Sequence, residues 1–270
     1  MKFFRSRATR TKPSPVSRAR ALYQSGRYDQ AEAEANAVVE ARPVDDEDVP
    51  LALTIAALSI GAQGRHAEAL AAYDKALPVF DKIFGADHWQ TLKLRSDRAQ
   101  QLASLGRHAE CEAESAAVVR AANRGTDPEM RLVAAAAGNG VVFALNAQAR
   151  HVEAEALARE ALATLREPDR LLLALWLGLA RSLNGQARHE EALAEAERAQ
   201  ELHRGLPPEQ RGQEAGAVDL VAATALLELG RHTEARVRAA TAHDVCLASF
   251  GPAHRRTKEA RALLDRIDGA

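Results

Sequence analysis

The chain has 270 residues, 47% of them hydrophobic and only 4% aromatic, with a formal net charge of −1 at pH 7. Alanine is abundant while β-branched and aromatic residues are scarce, which favours closely packed helices over sheets. Cys111 and Cys246 stand too far apart to suggest a disulfide framework, and the longest apolar run, 171–180, is about half of what spans a bilayer.

The charge is unevenly spread. The first 20 residues hold seven of the 36 Lys/Arg and no acid, leaving residues 21–270 with 29 basic against 37 acidic side chains. A basic arm can touch nucleic acid or anionic lipid. Pro13, Pro15 and the accompanying Ser and Thr make a solvated, disordered tail over 1–14 the expectation, with no nucleic-acid partner and no membrane span. Met1-Lys2-Phe3-Phe4 begins like a secretory signal, but Arg5, Arg7 and Arg10 leave no apolar stretch behind it, so the expected compartment is the cytoplasm. Arginine far outnumbers lysine, a composition associated with GC-rich bacterial genomes.

From residue 17 onwards one short turn recurs: SGRY at 25–28, QGRH at 63–66, LGRH at 105–108, QARH at 148–151 and 186–189, and LGRH at 229–232. Its last residue, Tyr28, His66, His108, His151, His189 or His232, returns at spacings of 38, 42, 43, 38 and 43. A period in that range belongs to stacked helical pairs. The pairs fall at about 17–43, 50–84, 87–123, 127–165, 168–204 and 207–250, and a last helix at 253–267 has the charged outer face of a cap. Breakers agree with these bounds. Pro43 and Asp45–Asp48 form a loop, Pro50 opens the second pair, and Phe84-Gly85 closes its second helix. Asp87, with Gln90 three residues on, predicts a capping box for the third pair. Counting from the turn residue, a small side chain comes five positions later in every copy: Ala31, Ala69, Cys111, Ala154, Ala192 and Ala235. Another small or β-branched one follows seven further on: Val38, Ala76, Val118, Ala161, Ala199 and Ala242. Helices approach closely only where side chains are short, so these rows predict where helices meet.

The turn glycines Gly26, Gly64, Gly106 and Gly230, the aromatic or histidine two residues after them, and the small residues at fixed later positions resemble the tetratricopeptide repeat family. The first copy fits the ordinary 34-residue form through Leu22, Gly26, Tyr28, Ala31 and Pro43. The longer copies resemble the 42-residue variant of kinesin light chains, through FGADHWQT at 84–91 and its echo FGPAHRRT at 250–257. The resemblance covers about 17–267 and implies an all-α, right-handed solenoid of about six helix–turn–helix repeats in a single domain, 15–267, with a C-terminal capping helix. The chain departs from the family in using His for the turn aromatic five times and Ala149 and Ala187 for the turn glycine.

Catalytic and metal patterns fail on context. Five of the nine histidines hold one repeat position, so neighbours lie a helix-packing distance apart, too far to share a zinc ion. The His-x-Glu at 66–68 and 108–110 lacks the Cys-x-x-Cys that a zinc deaminase needs. Cys111 near His108 occupies the small-residue slot. Gly138-Asn139-Gly140 lies inside a predicted helix and follows no strand, so it is not a dinucleotide loop. No cofactor and no catalytic residue is predicted.

In the family the first helix of each pair lines a concave groove that holds extended or helical peptides. Carried onto this sequence, the groove positions include Lys93, Ser96, Gln100, Asn139, Phe143, Asn146, Leu177, Arg181 and Asn184. Amides can grip a peptide backbone, Lys93 and Arg181 would favour an acidic group, and Phe143 and Leu177 would hold an apolar anchor. The expected role is a non-catalytic scaffold or adaptor for a protein or peptide partner. The alternative is a regulatory or sensor module using the groove or the basic arm. Self-association through an end face is compatible with both.

Overall fold

The computed structural model describes residues 15–165, 169–207, 211–252 and 254–269. The basic arm at 1–14 lies outside the described residues. Among them are thirteen α-helices and no strand. The chain divides into two compact units, Met1–Ala86 and Asp87–Ala270.

The first unit holds two helix pairs, α1 (Pro15–Gln24) with α2 (Tyr28–Ala41) and α3 (Val49–Ala62) with α4 (His66–Ile83). The second holds four: α5 (Trp89–Ser104) with α6 (His108–Ala122), α7 (Pro128–Ala147) with α8 (His151–Thr164), α9 (Arg170–Gly185) with α10 (His189–Gly205), and α11 (Ala217–Glu228) with α12 (His232–Phe250). A single helix, α13 (Arg255–Asp268), follows. Within each unit sequential helices pack on one another, and within the second unit the first helices also touch in series, α5 on α7, α7 on α9, α9 on α11 and α11 on α13. This is the helical-pair stacking that the period predicts.

The packing rows fall where the spacing puts them. Ala31, Ala69, Ala154, Ala192 and Ala235 have no exposed surface and Cys111 has 1%; in the second row Ala76, Val118, Ala199 and Ala242 are equally buried and Val38 is at 3%, with only Ala161 half-buried. First helices sandwiched between neighbours are apolar almost all round. α9 buries Leu173, Leu175, Leu177, Leu179 and Leu183, which join the cores on both its sides. α7 is also long and apolar enough to cross a membrane by length and composition, yet here it packs against α5, α6, α8 and α9.

Helix starts follow local chemistry, with one difference from expectation. Pro50 and Pro128 sit in the first turns of α3 and α7, where a missing N–H leaves no bond unmade. Asp169 accepts from the Leu172 N–H at 2.9 Å. At α5, however, the cap is His88, whose Nδ1 accepts from the Gln90 N–H at 3.3 Å, while Asp87 pairs with Arg124 at 2.8 Å. His254 caps α13 in the same way, accepting from the Arg256 N–H at 3.2 Å. His88 and His254 thus cap their helices in the same way, and at α5 an imidazole serves where the sequence predicts a carboxylate.

All six turns place their central residue in the left-handed region. Gly26, Gly64, Gly106 and Gly230 have φ between 73° and 78°, and Ala149 and Ala187 adopt φ of 60° and 59°. A Cβ is strained there. Ala149→Gly and Ala187→Gly are therefore expected to stabilise the protein by about 0.5 kcal/mol each, because relief of strain exceeds the entropy glycine adds to the unfolded chain. Urea denaturation checks this, and a lower midpoint for both variants would contradict it.

Candidate functional site

The turn that organises the sequence is built from charge as well as backbone. The residue after each turn position is arginine, and it reaches forward three residues to a side chain in the first turn of the next helix. Arg65, Arg107, Arg150, Arg188 and Arg231 form two-pronged bonds of 2.5–3.0 Å to Glu68, Glu110, Glu153, Glu191 and Glu234, and Arg27 bonds Gln30. The arginine bond holds each of the five carboxyls below the usual carboxylate range. The same glutamates lie at helix N-termini, where negative charge is favoured.

Three of these arginines also reach back to the preceding pair. In the first unit, Gln63 Nε2 and Arg65 Nη1 both donate to Glu32, each at 2.8 Å. In the second, Gln148 and Arg150 grip Glu112 at 2.7–2.8 Å, and Gln186 and Arg188 grip Glu155 at the same distances. Burial pushes the Glu155 carboxyl up, but bonds from Gln186, Arg159 and Arg188 outweigh it and hold the group below its ordinary range. The gripped glutamate always stands six residues past its own turn. In the remaining junction of the second unit it is replaced by Leu193, and the glutamine by Leu229. The polar pair and the apolar pair exchange together.

A second device joins consecutive pairs through the turn histidines. Asn146 Nδ2 donates to the Gly178 carbonyl of the next first helix at 3.0 Å, and its Oδ1 faces His151 Nδ1 at 3.0 Å. Because the amide nitrogen is the donor, Oδ1 is the acceptor and the imidazole carries its proton on Nδ1. Asn184 repeats the arrangement, with the Val221 carbonyl at 3.1 Å and His189 at 3.3 Å. A side chain at Gly178 would strike Val142, and one at Gly140 would strike Ser115, so at these places helices meet through bare backbone. That packing accounts for the second glycine of Gly138-Asn139-Gly140, while a side chain at Gly138 would meet nothing. One pair earlier, Ala103 stands where the asparagine would be, and His108 Nδ1 is buried without a partner among the described residues.

The nine groove positions therefore separate. Asn146 and Asn184 are engaged within the chain. Leu177 is 1% exposed and Ser96 5%, both inside the packing. Lys93 pairs with Asp97 at 2.7 Å, and desolvation raises the Asp97 carboxyl above its ordinary range despite that partner. Gln100 is exposed, while Asn139, Phe143 and Arg181 are half-buried. The Phe143 ring lies 6.0 Å from that of His108, and the Arg255 guanidinium from α13 sits over it at 5.1 Å. Arg256 bonds Glu214 at 2.6 Å, and Arg170 approaches the same carboxylate at 3.5 Å. The structure thus gathers Asn139, Phe143 and Arg181 on the first-helix face of the second unit and brings Arg255, Arg256 and Glu214 to it. Arg255 and Arg256 carry no signal of their own in the sequence, where the last helix reads only as a charged cap. The gripped glutamates carry one, a carboxylate six past the turn wherever glutamine precedes the next.

Residues 55–90 match the tetratricopeptide repeat family model. The fold is that of the tetratricopeptide repeat. Solved structures agree along most of the chain. A Podosopora anserina putative kinesin light chain, described as nearly identical TPR-like repeats, is 20% identical over 70% of this chain and 93% of its own, with a TM-score of 0.56. BtubC (BKLC) from P. vanneervenii is 15% identical over 84% and 91%, with a TM-score of 0.58. A Rap protein solved in complex with Competence and Sporulation Factor is 14% identical over 94% of this chain and 73% of its own, with a TM-score of 0.66. At these identities the likeness is one of fold. No curated protein matches the chain by sequence.

The asparagine–histidine device predicts opposite effects at equivalent positions. Asn184→Ala removes the second donor to the Val221 carbonyl and leaves the His189 Nδ1 without its partner, and is expected to cost about 1 kcal/mol. Ala103→Asn supplies the missing partner of His108 and is expected to add up to about 1 kcal/mol. Urea denaturation of the two variants beside the native chain checks the pair; a stabilising Asn184→Ala or a destabilising Ala103→Asn would contradict the assignment.

Proposed function

We propose that the protein is a non-catalytic scaffold that binds an extended protein or peptide segment along the first-helix face of its second unit. The observation that carries this is the contrast between engaged and unengaged groups on that face. Asn146 and Asn184 complete the stack, whereas the half-buried Asn139 amide has no hydrogen-bond partner among the described residues and stands four residues from Phe143, one helical turn away. An amide with both a donor and an acceptor beside an aromatic ring suits a peptide backbone and one apolar side chain. The tetratricopeptide fold supports the general role. Buried free cysteines at 111 and 246 suit the reducing cytoplasm, where we place the protein.

A regulatory or sensor module acting through the basic arm is the competing reading, supported by the seven basic residues in the first 20. Affinity capture from bacterial lysate separates the two. The full chain is compared with a Gln100→Ala, Asn139→Ala, Phe143→Ala variant and with a chain lacking residues 1–14. The scaffold reading expects partners retained without the arm and lost with the triple variant. Partners lost only with the arm would favour the regulatory reading, and full retention by the triple variant would overturn the groove.

A further inference from the structure

The charges facing the inner side of the second unit are nearly all answered. Lys93 is held by Asp97, Arg255 by Glu259, and both Arg256 and Arg170 by Glu214, which is 7% exposed. Arg181 is the exception. It lies on α9 at the position that Phe143 holds on α7, six residues before the turn, and its side chain is half-buried. Among the described residues it makes neither an ion pair nor a hydrogen bond. The charges that act on it are those of Arg256 and Arg255, which repel it, and of Glu259 and Glu214, each already bonded to one of those arginines.

Such an arrangement works against the empty protein. Burial, together with the like charges of Arg256 and Arg255, pulls the Arg181 guanidinium down to about 10 from its usual value. A methionine of similar length would fill the same space without this electrostatic cost. The charges that act on one another here are three guanidiniums, Arg181, Arg255 and Arg256, against two carboxylates, Glu214 and Glu259, a surplus of one positive charge. Arg255 is steered by the face of Phe143 at 5.1 Å, which holds its planar head on the inner side rather than in open water.

We propose that Arg181, with Arg255 and Arg256 beside it, receives an oxyanion carried by the bound segment. This deepens the groove reading, on which it rests, by naming the chemistry of the ligand: a phosphoryl group or a carboxylate presented next to an apolar side chain that packs on Phe143. Guanidinium forks bind both kinds of oxyanion in two-pronged fashion.

Thermal melting of the full chain in chloride, acetate and inorganic phosphate at equal ionic strength and pH 7 tests the site without the natural partner. The native protein is compared with Arg181→Met, Arg181→Lys and the distant control Arg204→Met. Phosphate is expected to raise the melting temperature of the native chain and of the Arg204→Met control. Its apparent affinity should fall at least tenfold in Arg181→Met and recover in part in Arg181→Lys. In chloride alone Arg181→Met is expected to melt above the native chain, since it removes an unanswered charge. A phosphate response larger than that to acetate identifies a phosphoryl ligand, and an equal one a carboxylate; either sustains the site. No anion-specific shift in the native chain, or the same shift in Arg181→Met, would overturn it. Because these probes are free ions, their binding stands or falls separately from the capture experiment on Gln100, Asn139 and Phe143.

Discussion

Within each unit, a glutamate six residues past one turn grips the glutamine and arginine of the next turn. The surfaces it joins are rows of alanine, which supply hydrophobic burial but little shape. Apolar burial is non-directional, and flat alanine faces would pack in several registers at similar free energy. A carboxylate held by two donors of fixed geometry, at 2.7–2.8 Å, admits one register. The arginine is itself fixed by the glutamate three residues ahead, so the turns at Gly64, Ala149 and Ala187 are braced both forwards and backwards. The asparagine–histidine device adds a second brace on the first helices, at Asn146 and Asn184.

These braces determine which polar groups on the first-helix face are taken up within the chain. Groups that join successive pairs are taken up by backbone carbonyls and imidazoles. On the first-helix face Gln100, Asn139 and Arg181 have no side-chain hydrogen bond or ion pair among the described residues, and Phe143 stands one helical turn from Asn139. A scaffold needs a rigid frame and a few unsatisfied groups held where a partner can reach them. Here the frame lies in the turns and the unpartnered groups lie on α5, α7 and α9.

The stacking of helical pairs was legible because it is written in backbone terms. Gly26 and Gly64 mark left-handed turns, and the positions five and twelve residues on mark the buried rows, whatever their neighbours do. The groove was less legible, because a family position says which helix face a residue occupies and not whether a neighbour has already claimed it. Asn146 and Asn184 carry the right chemistry for a peptide, but a carbonyl of the following helix stands within 3.0–3.1 Å of each. Leu177 sits in the groove row and is nevertheless 1% exposed, because α9 is sandwiched between two cores. His88 capping α5 in place of Asp87 has the same origin: the carboxylate found Arg124, 37 residues away, and local spacing carries no information about that partner. The gripped glutamates were legible in principle, since Glu112 and Glu155 change to Leu193 only where Gln148 and Gln186 change to Leu229.

The most direct test of the gripped-glutamate account is a double-mutant cycle on Glu155 and Gln186, with Glu155→Ala, Gln186→Ala and the double variant followed by urea denaturation. If Glu155 fixes the junction between the α7–α8 and α9–α10 pairs, the two single losses will not add, and the double variant will be scarcely less stable than Glu155→Ala alone. Additive losses would mean that the two side chains stabilise the protein independently, and that packing of the alanine rows alone holds successive pairs in register.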